Sequence, residues 1–197
     1  MKEKEVRVLN VELRTPEEED KMIIEGYAIT FNSPATHGYT EVISDRALDN
    51  TDMSDVPLKY NHEDSHLIMA RTRNHSLELK KDEKGLYIRA ELIDTQSNKD
   101  IYKSIKSGLI DKMSFAFTTR ADEYDYETDT RTITDIERLY DVSVVDIPFY
   151  DSTSVYARNE SEDFLKRREE LRKQHEEEEA RKEKLSKAKE ELLKKLG

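Results

Sequence analysis

The chain has no cysteine among its 197 residues. That excludes a disulfide framework, thiolate zinc sites and a cysteine nucleophile, and it suits a reducing compartment. Apolar runs are equally scarce. The N-terminal Met1-Lys2-Glu3-Lys4-Glu5-Val6 lacks the apolar core of a signal peptide, and no stretch reaches the length needed to span a membrane, so the sequence predicts an intracellular, soluble protein. Hydrophobic residues make up 35% and charged residues 39%, a thin core for a compact domain of this size.

An excess of positive charge is also missing. The formal net charge is −11, from 33 basic and 44 acidic side chains. Residues 161–197 hold 12 of the basic and 11 of the acidic ones, which leaves 21 and 33 for residues 1–160, a net of −12. A body so acidic repels a phosphate backbone, and the tail at +1 is no basic arm, so the charge argues against nucleic-acid binding. The same division sets the expected domains, a body over 1–158 and a charged helical tail over 159–197.

What is present is strand-like alternation. Val6, Val8, Val11 and Leu13 alternate with polar residues, and Met22 to Phe31 reads as a second strand ended by Asn32-Ser33-Pro34. Ser44 to Asp49 reads as a short capped helix, and Val56 to Tyr60 as a strand leading into Asn61-His62. A hairpin is expected over His75 to Leu92, turning at Asp82-Glu83-Lys84-Gly85. Ile101, Ile105 and Leu109 form one face of a helix with caps at Ser97 or Asn98 and an end at Gly108. Met113, Phe115 and Phe117 define another strand, and a last long one runs from Arg131 to Pro148. The pattern predicts an α+β fold, mainly antiparallel, with a partly closed β-barrel flanked by helices. In the tail, Phe164, Leu171, Leu185 and Leu192 share a heptad row that Glu178 interrupts, which predicts a long solvated helix rather than a self-contained coiled coil. The seam Leu185, Ala188, Leu192 and Leu196 is its candidate face for a partner helix.

Two constellations could carry chemistry. His62-Glu63-Asp64-Ser65-His66 satisfies the zinc-protease spacing, which works only when a helix sets both imidazoles on one face; its flanks read as extended. The second is His62, Ser114 and an acid on the last strand. On Met113-Ser114-Phe115-Ala116-Phe117 the apolar side chains point one way, so Ser114 should present its hydroxyl on the opposite, exposed face. Asp141 and Ser143 share the face opposite Tyr140, Val142 and Val144, where a carboxylate must be paired to be tolerated. Nucleophile, base and orienting acid are the types that hydroxyl catalysis needs. Spacing alone does not separate this set from an ordinary strand serine, a loop histidine and an edge-strand charge.

Four ordered segments carry a resemblance over about residues 22–158: Gly26-Tyr27-Ala28-Ile29-Thr30-Phe31-Asn32, Asp55 to Glu63 around Asn61-His62-Glu63, Lys112-Met113-Ser114-Phe115-Ala116-Phe117, and Arg138 to Pro148. In these the chain resembles the tailed-phage prohead proteases, capsid maturation serine proteases related in fold to herpesvirus assemblin. The resemblance implies His62 as general base, Ser114 as nucleophile and Asp141, in place of the more usual Glu, as the third member. His66 and His75 are the alternatives, because assemblins use a second histidine; Asp135, Glu137 and Asp146 are lesser ones. Met69-Ala70-Arg71 stands where Leu-Gly-Arg is more usual.

The implied activity is a serine endopeptidase with no metal or cofactor. Its activity should fall as pH drops through the titration of His62, since a free histidine titrates near ~6.5. Arg71 or Arg138 and a backbone N–H near Ser114 are candidate oxyanion donors. The implied substrate is the scaffold segment of the major capsid protein, or a separate scaffold, and the chain itself, with self-cleavage near Asn159–Glu162. The implied setting is the host cytoplasm and the interior of the assembling procapsid, with a homo-oligomer, no nucleic acid and no membrane. Two other readings are an inactive capsid assembly factor acting through the tail and a zinc protease using His62, Glu63 and His66.

Overall fold

The computed structural model describes residues 3–9, 13–16, 21–36, 38–64, 67–146, 155–158 and 161–196. They fall into two compact units, Met1–Glu160 and Ser161–Gly197. In chain order the first unit contains β1 (Glu5–Leu9), β2 (Leu13–Arg14), β3 (Met22–Thr30), β4 (Ala35–Thr36), β5 (Thr40–Ile43), β6 (Pro57–Tyr60), β7 (Ala70–Arg71), β8 (Leu77–Lys81), β9 (Gly85–Leu92), α1 (Gln96–Lys106), β10 (Lys112–Asp125), β11 (Thr130–Val145) and β12 (Val155–Arg158). The second is α2 (Glu162–Leu196).

The fold is mixed α+β. One sheet runs β12-β1-β10-β11-β5-β4, with β6 also pairing β11 and β7; the other runs β2-β3-β9-β8. Neither sheet closes on itself among the described residues, so the expected partly closed barrel is replaced by two open sheets. Their inner faces share one hydrophobic core, in which Ile24 and Ile29 of β3 and Leu86, Ile88 and Ala90 of β9 meet Met113, Phe115 and Phe117 of β10 and Leu139, Val142 and Val144 of β11. Gly85 marks how closely two strands approach at the hairpin turn. A Cβ there would sit 1.9 Å from the Ile29 carbonyl oxygen, so only glycine fits.

The site is framed by β11. Its whole length pairs antiparallel with β10, and its opposite edge is shared by two parallel strands, β5 against Thr130 to Ile133 and β6 against Val142 to Val144. At the far side of β10, β1 pairs antiparallel with Val8 opposite Ser114. A buried ionic cluster ties these strands together. Arg7 of β1 binds Glu41 of β5 through Nε (2.5 Å) and Nη2 (2.8 Å) and Glu5 through Nη2 (2.8 Å). Arg131 of β11 binds Glu5 (2.6 Å), Glu41 (3.0 Å) and Asp122 of β10 (2.7 Å). Burial alone would make the two guanidinium groups easier to deprotonate, yet the carboxylates around them outweigh it and raise both above the ordinary arginine value.

Four local expectations are corrected. Ser44 to Asp49 is not a helix: Ala47 N–H bonds the Ser44 carbonyl and Asp49 N–H the Arg46 carbonyl, successive turns in which the Ser44 hydroxyl also accepts the Arg46 N–H. Helix α1 is capped by Thr95, whose hydroxyl accepts the Asn98 N–H, not by Ser97 or Asn98. It ends at Lys106, before Gly108 at φ 77°, so Leu109 falls off the apolar face and is 74% exposed. The single strand expected over Val6 to Leu13 is divided, β1 ending at Leu9 in one sheet and β2 starting at Leu13 in the other; the remaining expected strands lie near their places, with β10 extending seven residues beyond Thr118 to Asp125. Ile147 and Pro148 lie outside the described residues.

Taken by itself, α2 is one helix with i,i+4 ion pairs along it, Lys166–Glu162 at 3.4 Å, Lys173–Glu169 at 2.6 Å and Lys187–Glu183 at 2.6 Å. Leu185 is exposed, and the side chains of Ala188, Leu192 and Leu196 lie outside the described residues. No helix among the described residues is long and apolar enough to cross a membrane.

Candidate active site

Register assembles the site. Ser114 on β10 stands directly opposite Ser143 on β11, and Ala116 directly opposite Asp141, so all four side chains share one face of the sheet. Strand β6, parallel to the same stretch of β11, carries the chain to the level of Val144 and then releases it: the Asn61 N–H bonds the Val144 carbonyl (3.0 Å), and the Glu63 N–H bonds the Tyr60 carbonyl (3.0 Å). Asn61 (φ 52°) and His62 (φ 58°) both adopt left-handed backbone, which folds the His62 ring back over the sheet.

The turn is fastened by Asp146. Its carboxylate accepts the Tyr60 hydroxyl and the Asn61 amide (2.9 Å), and its N–H donates to Asn61 Oδ1 (3.3 Å). Burial, and then this hydrogen bond, push the Tyr60 phenol up to about 12. Left-handed backbone at His62 rules out the helix that a paired-histidine zinc site requires; His66 lies outside the described residues.

His62 Nε2 lies 2.5 Å from Ser114 Oγ, and Nδ1 bonds Asp141 Oδ1. The other carboxylate oxygen of Asp141 accepts the Lys4 ammonium at 3.1 Å. Ser143 Oγ donates to Asp141 Oδ1 at 3.1 Å and accepts the His62 N–H at 3.3 Å. Desolvation pushes the Asp141 carboxyl up, but the bonds and charges of His62 and Lys4 prevail and hold it below the usual carboxylate range. Asp141 therefore stays ionised, and an ionised carboxylate at Nδ1 requires Nδ1 to carry the ring proton. In the neutral ring Nε2 is then left with its lone pair toward Ser114, the arrangement in which an imidazole can remove a hydroxyl proton.

Ser114 is not presented to solvent as its strand pattern suggests. It is fully buried, as are Asp141 and Ser143, and only the His62 side chain, 11% exposed, reaches the surface. The reason is β1: Val8 covers the serine's side of the strand, and the Arg7 carbonyl accepts the Ser114 hydroxyl at 2.8 Å. One hydroxyl proton thus has two acceptors, the carbonyl and Nε2.

The other sequence-derived candidates are engaged elsewhere. His75 is an exposed cap of a single 3₁₀ turn, Asp135 pairs Arg120 at 3.1 Å, and the Glu137 carbonyl accepts the Asp52 N–H at 3.0 Å. Arg71 grips Asp55 through Nε and Nη2, at 2.5 and 2.6 Å, and Arg138 lies 3.7 Å from Asp52 and over the Tyr140 ring. Lys4 and the Arg7 carbonyl are the partners that the sequence did not disclose. A backbone carbonyl leaves no mark on composition, and the reach of Lys4 depends on a strand pairing across more than a hundred residues.

The family described as caudovirus prohead serine protease matches residues 9–167. The prohead protease of Enterobacteria phage HK97 is 28% identical over 139 residues, covering 68% of this chain and 59% of that protein, so the chain spans less than two thirds of that relative's length. The solved structure of the bacteriophage T4 capsid assembly protease aligns with 73% of this chain and 98% of its own at a TM-score of 0.48 and 12% identity.

Proposed function

The chain belongs to the caudovirus prohead serine protease family, and from that membership we propose that it is a serine endopeptidase of capsid maturation, cleaving the scaffold segment of the major capsid protein, or a separate scaffold, inside the assembling procapsid. The observation that carries the reading is the 2.5 Å contact of His62 Nε2 with Ser114 Oγ, backed at Nδ1 by a buried carboxylate. His62 takes the Ser114 proton as Oγ attacks the scissile carbonyl, then delivers it to the leaving amine. Asp141 holds the tautomer and stabilises the imidazolium. Water hydrolyses the acyl-enzyme by the same base.

Residues 1–158 form the protease in this reading, and the charged helix of 159–197 recruits it to the scaffold. Self-cleavage near Asn159–Glu162 would then release the tail; Asn159 and Glu160 lie outside the described residues. Copies of the chain associate in the host cytoplasm as the procapsid forms around them.

The test is intact-mass analysis of the wild type and Ser114→Ala, each incubated alone and with the capsid or scaffold protein of the same phage. Cleavage by the wild type that is lost in Ser114→Ala is the expected result. Identical masses in every sample would overturn the reading and favour an assembly factor acting through α2.

A further inference from the structure

The hydroxyl of Ser143 is fully buried on β11, and the mechanism above gives it no task. We propose that Ser143 is a positioning residue, locking the His62 backbone and ring in the one arrangement that aims the Nε2 lone pair at Ser114. The inference rests on the protease reading.

Three contacts converge on one oxygen. Ser143 Oγ accepts the His62 N–H at 3.3 Å, lies 3.2 Å from His62 Nδ1 and donates to Asp141 Oδ1 at 3.1 Å. A hydroxyl has one proton and two lone pairs. The His62 N–H occupies one lone pair. If the proton went to Nδ1, that nitrogen would be a bare acceptor facing the Asp141 carboxylate, and two acceptors in contact repel. With the Ser143 proton on Asp141, its second lone pair faces a protonated Nδ1, and every group is satisfied. Only that arrangement leaves Nε2 free to act as base.

Asp141 alone would favour the same tautomer, but it touches only the ring. Ser143 also bonds the main chain of His62 where it stands at φ 58°, a conformation uncommon for non-glycine residues. Without the hydroxyl, the His62 N–H loses its acceptor and the ring can swing from Ser114 while still touching Asp141. No motif search exposes this role, because a strand serine beside an acid has the same spacing wherever it occurs.

The full-length protein tests it as wild type, Ser143→Ala and Ser143→Thr, with thermal melting followed in each. The probe is diisopropyl fluorophosphate, with Ser114 modification rates read by intact mass across pH and the His62 protonation pattern read by ¹⁵N imidazole NMR. The expected result is a neutral wild-type ring protonated at Nδ1. Ser143→Ala should melt as a folded protein, label about tenfold more slowly and show mixed or exchange-broadened ring signals. Ser143→Thr, which keeps the hydroxyl, should recover most of the rate. Labelling of Ser143→Ala at the wild-type rate with an unchanged ring spectrum would overturn the positioning role and leave the protease standing. A wild type that never labels at Ser114, or whose ring is protonated at Nε2, would overturn the protease reading and this role with it.

Discussion

On the protease reading, replacing Asp141 by Asn should abolish nearly all catalysis while leaving the fold intact. The carboxylate serves His62 Nδ1 and Ser143 through Oδ1 and Lys4 through Oδ2. Asn offers one acceptor and one donor. If its oxygen faces His62, its NH₂ confronts the Lys4 ammonium, donor against donor. If its NH₂ faces His62, Lys4 keeps an acceptor, but Nδ1 must surrender its proton. The ring proton then moves to Nε2, which donates to Ser114, and the serine proton goes to the Arg7 carbonyl already waiting at 2.8 Å.

Ser143, deprived of its acceptor at Oδ1, turns its proton to the now bare Nδ1 at 3.2 Å, so the unproductive network is satisfied as well. A lost charge-assisted bond is worth about 1.5–3 kcal/mol, and the lower end applies because Lys4 is 43% exposed. That leaves roughly a tenth of molecules in the productive tautomer. Losing the carboxylate beside the imidazolium costs about 4 kcal/mol at contact distance and an effective dielectric of 20, roughly a further thousandfold. The product is about 10⁴ in rate. The assay compares Ser114 modification by a fluorophosphonate and cleavage of the proposed capsid or scaffold substrate in Asp141→Asn and wild type, with circular dichroism melting as the fold control. A natively folded variant within tenfold of wild type would show that Asp141 does not set the tautomer.

Two further predictions concern stability. Arg131→Met leaves Glu5, Glu41 and Asp122 with Arg7 as the only guanidinium in the cluster, so urea unfolding should show a loss of about 3–5 kcal/mol, partly recovered by adding Glu41→Gln; a loss under about 1 kcal/mol would contradict the cluster's geometry. The depressed Asp141 carboxyl contributes stability that is complete above the unfolded value near ~3.9 and is lost as pH falls through the lower folded value. Below about pH 4, wild type should lose stability more steeply than Asp141→Asn, and parallel acid-unfolding curves would refute that.

Much of the site was legible because strand periodicity is strict. Once Met113, Phe115 and Phe117 face the core, Ser114 must face away, and the same count puts Asp141 and Ser143 together on β11. What alternation cannot say is which strand lies next door. The burial of Ser114, its bond to the Arg7 carbonyl and the Lys4 contact all follow from β1 pairing with β10, a choice made across more than a hundred residues. The misread segments have local causes. In Ser44 to Asp49 side-chain and three-residue turn bonds outcompete a helix, and at Leu109 a left-handed Gly108 ends the periodicity one residue too soon.

The charged cluster also settles which alignment β1 can take. Val6 and Val8 flank Arg7, so a strand with only apolar alternation could slide two residues along β10 and bury itself equally well. Sliding here would bring Glu5 to the place of Arg7 against Glu41, like charge to like charge, and a one-residue slip would turn both charged side chains onto the face that holds Ser114. Arg7 is thus addressed by its side chain on one face while its carbonyl accepts the Ser114 hydroxyl proton. A cluster replaced wholesale by apolar residues could match the native stability and still lose the alignment, because its charges spell out a position that hydrophobic contacts alone would leave ambiguous.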